Sequence, residues 1–162
     1  MTTSLLTQYI AHMRDREYMT GVEREKSRVK ATGEVFTPTT LVHRVLNDMD
    51  QELFRDPNKT FIDPACGDGQ FLSEVLIRKL EAGIDFETAL STIYGVDIMP
   101  DNVVLCRERL LCTREDLRPV VERNIVCADG LCYHYRFDGS DPYDKTEAER
   151  QEDHLNNLFE FN

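Results

Sequence analysis

The spacing of apolar residues divides this chain into helical and extended stretches. Leu5, Leu6, Tyr9, Ile10 and Met13 recur at helical spacing and predict a helix from residue 3 to about 20. GVEREKSRVKATGE follows, polar with alternating charge, and reads as an exposed helix or connector. Thr39 and Thr40 are candidate caps for a second helix, whose buried face would be Leu41, Val42, Val45, Leu46, Met49 and Leu53. Asp56-Pro57-Asn58 marks a turn. A short strand near Thr60 to Asp63 then runs into Pro64-Ala65-Cys66-Gly67-Asp68-Gly69. The helix expected from about Gln70 carries Phe71, Leu72, Val75, Leu76 and Leu80 on one side, and Gly83 suits its end. Phe86 to Ser91 adds a helical turn or two, and Ile93 to Asp97 reads as a second strand. Pro100 fits the first turn of a helix burying Val103, Val104, Cys106, Leu110 and Leu111. Asn124 to Ala128 is the third strand, closing at Asp129-Gly130.

Strand, helix, strand, helix, strand implies an α/β fold with parallel strands and right-handed crossovers. Beyond Tyr135 the pattern fades into an acidic, turn-rich stretch, until HLNNLFEFN turns apolar again. The expected division is a helical extension over residues 1–35, a ligand-binding domain over 36–135 and an acidic tail over 136–162. Composition adds little: 41% hydrophobic and 30% charged residues are an ordinary soluble balance. No apolar run approaches the roughly 20 residues of a membrane span, and the first residues do not read as a secretory signal. A cytoplasmic home is expected. The five cysteines are odd in number and form no C-x-x-C pair, so reduced thiols and no structural metal are expected.

Charge complicates the picture. The net charge of −11 argues against a free-standing DNA binder, which usually carries a basic patch. The acid is concentrated, however: from Asp138 onward there are eight acids against Lys145 and Arg150. The domain ahead of the tail is only mildly acidic.

The candidate chemistry centres on Asp63 to Phe71. A strand, a glycine-rich turn and a helix together make a cradle in which the backbone approaches a ligand closely and a helix N-terminus offers N–H groups. Asp63 at the strand end would disfavour a pyrophosphate and suit a cationic amine. No lysine of the phosphate-loop type follows the glycines. Asp97 ends the second strand, 28 residues after Gly69, where an acid can accept both ribose hydroxyls of a nucleoside. Ile98 and Met99 can sandwich a purine, and Asp129 can accept from its amine. Taken singly, each aspartate reads as a helix cap. Taken together with the glycine turn, they point to S-adenosylmethionine, whose methionine part carries an ammonium and a carboxylate.

These residues resemble a known family. DPACGDGQFL resembles the S-adenosylmethionine loop of N6-adenine-specific DNA methyltransferases of the restriction–modification type. Gly33 to Pro38 is similar to the element that precedes that loop in members whose cofactor half comes first. IYGVDIMPDNVVLCRERL and NIVCADGL resemble the next two segments. The resemblance implies a Rossmann-like methyltransferase fold, here a truncated parallel sheet flanked by helices. It implies that Phe36, Thr37 and Pro38 close over the methionine end of the cofactor. Asp63, Ala65, Gly67, Gly69 and Phe71 would form the cradle, Asp97 and Ile98 would hold the adenosine, and Asp129 with Leu131 would line its adenine. The implied reaction is methyl transfer to the N6 amine of adenine in DNA.

One departure bears on activity. The family's catalysis depends on an (N/D)PP(Y/F) element, which polarises the target amine and stacks the flipped base. No two prolines are adjacent in this sequence, and the nearest match, Asp141-Pro142-Tyr143, reads as a turn. No catalytic residue is assigned. Three classes stay open: an adenine methyltransferase working alone or with a partner chain that supplies the element and DNA contacts, a catalytically silent cofactor-binding regulator, and an acidic interaction protein. If the sheet lacks its later strands, its open edge calls for cover by the C-terminal segment, a second copy or a partner. Of the smaller signals, the Arg24–Lys30 cluster reads as a solvated face, His43 as packing or surface, and Tyr133 and Tyr135 as cover for the sheet edge.

Overall fold

The computed structural model describes residues 3–14 and 37–143. Its centre is a three-stranded parallel sheet in the order β1 (Phe61–Asp63), β2 (Ile93–Asp97), β3 (Ile125–Cys127). Phe61 pairs with Ile93 and Asp63 with Gly95; Gly95 in turn pairs with Ile125 and Asp97 with Cys127. Because all three strands run the same way, their carboxyl ends open onto one edge. β1 and β3 are only three residues long, so the sheet depends on what packs against it.

One face is covered by the crossover helices α3 (Gln70–Glu81) and α5 (Pro100–Leu111), which pack on the strands and on each other. Leu72, Leu76, Ile77, Ile93, Cys106, Leu110 and Ile125 form the core between them. Glycine at position 95 is a packing requirement: a Cβ there would lie 2.8 Å from Leu72 Cδ1 and 2.9 Å from Cys66 Sγ. Around this layer, α1 (Thr3–Arg14) lies on α3 and α5, and α2 (Thr39–Asp48) lies on α3. The short α4 (Phe86–Ser91) packs against α6 (Arg118–Asn124), which leads directly into β3.

The other face alternates out of register with the first. It carries Val96 and Val126, over which Tyr133 and Phe137 fold back. Tyr94 and Phe137 approach to 4.8 Å between centroids, and Tyr133 meets Phe137 edge-on at 5.5 Å. The Phe137 amide donates to the Tyr133 hydroxyl at 2.8 Å. Tyr133, expected to cover the sheet edge, instead lies over this face, and Tyr135 packs on Tyr133 at 5.3 Å between centroids while remaining 37% exposed. Ile62, on the same side of β1, stays 52% exposed.

Charged side chains tie the helices down. Lys79 is buried, and its ammonium donates to the Lys59 carbonyl at 2.8 Å, the Thr92 hydroxyl at 2.7 Å and the Asp56 carbonyl at 3.3 Å. It thereby joins α3 to the entries of β1 and β2, with an acceptor for each proton, which burial of an ammonium demands. Arg78 takes the Leu46 carbonyl and the Asn47 side chain at the end of α2. The buried Glu74 carboxylate accepts both arms of Arg14 from α1 at 2.9 and 2.8 Å, and His43 Nε2 from α2 lies 3.1 Å away. His43 thus faces the buried Glu74 carboxylate while its own side chain stays 40% exposed.

Several local expectations are corrected. α2 is capped by Pro38 with no side-chain bond, so neither Thr39 nor Thr40 is its cap. It ends at Asp48, where Met49 turns extended, and a separate 3-10 turn spans Gln51–Phe54. Only Val42 and Leu46 of its expected apolar face are fully buried, while Leu41 and Val45 are exposed. Val104 on α5 is exposed as well. The helix α6 lies where no element was expected. The connector at 21–34 and the apolar C-terminus lie outside the described residues. Among the described residues, no helix is long and apolar enough to cross a membrane.

Glu74 gives the fold a testable acid dependence. Burial pushes its carboxyl upward, but Arg14, and to a smaller degree His43, outweigh burial and leave it below the usual value. A carboxylate lowered in the folded state contributes stability that is present above its unfolded pKa and is lost as pH falls through the folded one. Glu74→Gln should cost about 2 kcal/mol in urea unfolding at neutral pH. The difference from wild type should shrink under acid; an unchanged gap down to the lowest accessible pH would show that the ion pair does not hold α1 and α2.

Candidate functional site

The loop from β1 to α3 is shaped by hydrogen bonds from its own strand ends. Asp63 Oδ1 accepts the Ala65 amide at 3.1 Å, starting the turn. The Cys66 amide donates to the Val96 carbonyl at 2.9 Å, which fixes the loop to the end of β2. Gly67 follows at φ +53° and Gly69 at φ +87°, both left-handed, after which Gln70 begins α3. The two glycines have different reasons. A Cβ on Gly69 would lie 2.7 Å from Cys106 Sγ, so that residue is small because α5 lies against it. A Cβ on Gly67 would meet nothing within 4 Å, so its backbone borders open space. α3 begins without a side-chain cap bond at Gly69.

Asp97 joins this loop to the next. Its Oδ2 accepts the Gly67 amide at 2.8 Å and its Oδ1 accepts the Met99 amide at 2.9 Å, with Asn102 Nδ2 at 3.4 Å. At the third strand end, Asp129 Oδ1 accepts the Leu131 amide at 2.9 Å. All three aspartates therefore do the same local work, each accepting the amide two residues ahead. That role leaves room for another: a carboxylate has about four acceptor positions, and the bonds at Asp97 and Asp129 leave lone pairs for donors from outside.

Two large apolar side chains stand unprotected beside these acids. Ile98, directly after Asp97, is 57% exposed, and Leu131, two residues after Asp129, is 96% exposed. They follow neighbouring strands of one sheet, at the edge where ligands of open α/β sheets bind. Gly130 packs so closely on the β1 loop that a Cβ would lie 2.4 Å from the Pro64 carbonyl oxygen. Phe71, on the first turn of α3, is half-buried against the core. Thr37 and Pro38 lead into α2, whose first turn closes on the Pro38 carbonyl through the Leu41 and Val42 amides at 2.8 and 3.1 Å. Phe36 lies outside the described residues. Asp141-Pro142-Tyr143 is a turn closed by the Asp141 carboxylate on the Tyr143 amide.

Electrostatics favour a cation here. Burial pushes the Asp63 carboxyl up, the Ala65 amide opposes this, and the nearby charge of Asp97 raises it further. Two acids sharing an edge gain from a positive group between them. Burial also pushes the Cys66 thiol well up, after its contact with the Cys106 thiol; it is no nucleophile.

Sequence reasoning missed the support behind the loop. Arg109 on α5 is fully buried, and it donates through Nε to the Met13 carbonyl at 2.9 Å, through Nη1 to the Asp68 carbonyl at 3.4 Å and through Nη2 to Gln70 Oε1 at 3.4 Å. The signal was present: residues 103, 106, 109 and 110 share one helical face, and Arg109 falls inside that apolar stripe.

A small parallel α/β sheet flanked by helices, with a glycine loop and carboxylates at successive strand ends, is compatible with a methyltransferase-like fold. Residues 18–131 match the family model of N-6 DNA Methylase, well over half of the chain, and the chain belongs to that family. No curated protein and no solved structure matches it.

The site implies a trade between stability and charge. A carboxyl raised in the folded state costs stability once pH exceeds its unfolded value, and the full cost is reached above the folded one. Asp63→Asn keeps an oxygen for the Ala65 amide and should raise Tm at neutral pH, with the gain vanishing below the ordinary carboxylate range. A lower Tm at neutral pH would contradict this. Among the glycines, Gly69→Ala should cost about 1–3 kcal/mol in chemical unfolding. Gly67→Ala should cost less, because only its backbone angle, and no neighbour, opposes a Cβ.

Proposed function

We propose that this chain binds S-adenosylmethionine and forms the cofactor-holding part of an adenine-N6 DNA methyltransferase with a Rossmann-like sheet. The observation that carries the reading is the set Asp63, Asp97 and Asp129 at successive ends of one parallel sheet, with open space at Gly67 and bare apolar side chains at Ile98 and Leu131. Family membership adds the reaction class.

The residues present fit the cofactor. Asp63 takes the ammonium of the methionine part, and its raised carboxyl is what an unmatched acid beside Asp97 would have. The backbone at Ala65, Gly67 and Gly69 follows the methionine chain, with Phe71 beside it. Asp97 accepts the ribose hydroxyls with its remaining lone pairs, Asp129 accepts the adenine amine, and Ile98 and Leu131 flank the purine. By the family resemblance, the methionine end is assigned to the segment with Thr37 and Pro38, preceded in sequence by Phe36. When bound, the cofactor supplies an electrophilic methyl group on a sulfonium. The element that polarises the target amine is not in these 162 residues; a partner chain or another segment of the protein would supply it, together with most of the DNA contacts. The net charge of −11 fits this division, because a chain this acidic gains little from phosphates by itself. The same charge favours a second reading, in which the chain binds the cofactor without catalysing and acts as a regulatory or acidic interaction protein.

Calorimetric titration with S-adenosylmethionine tests the cofactor reading. Binding on the order of micromolar is expected, weakened at least about tenfold by Asp97→Ala. Affinity should be greatest above the raised Asp63 pKa and fall as pH drops through it, and Asp63→Asn should remove that dependence. A folded chain that binds neither the cofactor nor its demethylated product would overturn the proposal. If the chain binds but yields no N6-methyladenine in DNA with any protein carrying the (N/D)PP(Y/F) element, the silent reading replaces the enzymatic one.

A further inference from the structure

The glycine loop is held at more than one point. In front, the Asp97 carboxylate accepts the Gly67 amide. Behind, α5 supports it twice, one turn apart: Cys106 Sγ lies under Gly69, and Arg109 reaches Asp68 and Gln70. Arg109 is 1% exposed, and Asp68 Oδ2 lies 3.7 Å from its Nη1. The third direction of the guanidinium is the Met13 carbonyl in the last turn of α1. A buried guanidinium is tolerated where acceptors meet its fixed fork, and here the fork links two elements far apart in the chain.

We propose that Arg109 is a positioning residue for the cofactor: it sets the path of the loop from Gly67 to Gln70 against the last turn of α1, so that α1 works as part of the site. The inference rests on the S-adenosylmethionine reading. It also specifies which end of the ligand depends on Arg109. The loop follows the methionine part, whereas Asp97, Asp129 and the apolar pair serve the nucleoside. Displacing the loop therefore weakens recognition of the amino-acid end selectively. Lysine keeps the charge but is a compact point donor that cannot span the three acceptor directions, so the conservative change fails to rescue.

The test compares two ligands on two proteins. S-adenosylmethionine and 5′-methylthioadenosine, which lacks the amino-acid end, are titrated into wild type and Arg109→Lys well below either melting temperature. S-adenosylmethionine should weaken at least about tenfold while 5′-methylthioadenosine changes by less than about twofold, a selectivity that general destabilisation would not produce. Equal weakening of both ligands, or no weakening of either, overturns the proposal. If Arg109→Lys does not fold, Gln70→Ala removes one acceptor with the arginine in place, and the same comparison decides. If wild type binds neither ligand, the cofactor reading has failed separately. Amide exchange then judges the positioning claim in the ligand-free protein. Faster exchange at Gly67 to Gln70 in the variant, with β2 unchanged, supports it, and identical rates overturn it.

Discussion

Parallel pairing through β2 is the constraint on which the rest of the structure depends. It fixes Asp63 and Asp97 at the ends of neighbouring strands and brings Asp129 to the same edge two residues beyond β3. It also obliges each strand to return through a helix, which places α3 and α5 together on one face. With strands this short, few ladder hydrogen bonds contribute. The sheet is fixed by side chains at both ends of its strands: Asp97 to the Gly67 amide at the carboxyl ends, and Lys79 to the entries of β1 and β2 and Arg107 to the Ile125 carbonyl at the amino ends.

These contacts show how the fold manages charge. Lys79, Glu74 and Arg109 are all buried, and each meets partners from a different part of the chain. A buried charge without partners costs several kcal/mol, so such groups mark where elements must meet in one arrangement only. Asp63 is the exception: burial and the neighbouring acid both act against its ionised form. An acid in this setting costs some stability and would gain from a cation beside it, as the proposed ligand would supply.

Much of the plan was legible in the apolar pattern. The strand Ile93–Asp97, the turn at Asp56–Asn58 and the start of the helix at Gln70 stand where the sequence placed them. The failures have physical causes. Seven residues, with Pro119 in the first turn, are too few to display a helical period, so α6 was missed. In α2 the apolar stripe is wider than its contact, which runs through Val42 and Leu46 and leaves Leu41 and Val45 exposed. At the site, the three aspartates were visible because strand ends are visible. Taken singly, each aspartate reads as a cap of the following helix; instead each accepts the amide two residues ahead, and α3 and α5 begin at Gly69 and Met99 without a side-chain cap bond. Arg109 was passed over because an arginine is taken for surface by default, although its position in the stripe said otherwise.

The most direct measurement is a backbone-amide NMR titration of the intact chain with S-adenosylmethionine. Binding at the strand ends predicts shifts concentrated at Ala65 to Phe71, Asp97 to Met99 and Asp129 to Leu131. Shifts confined to another surface would contradict it, for example the groove of about 430 Å³ between α1 and α4 lined by Leu6, Tyr9, Leu80, Ile84 and Phe86. So would a spectrum that stays unchanged at saturating ligand.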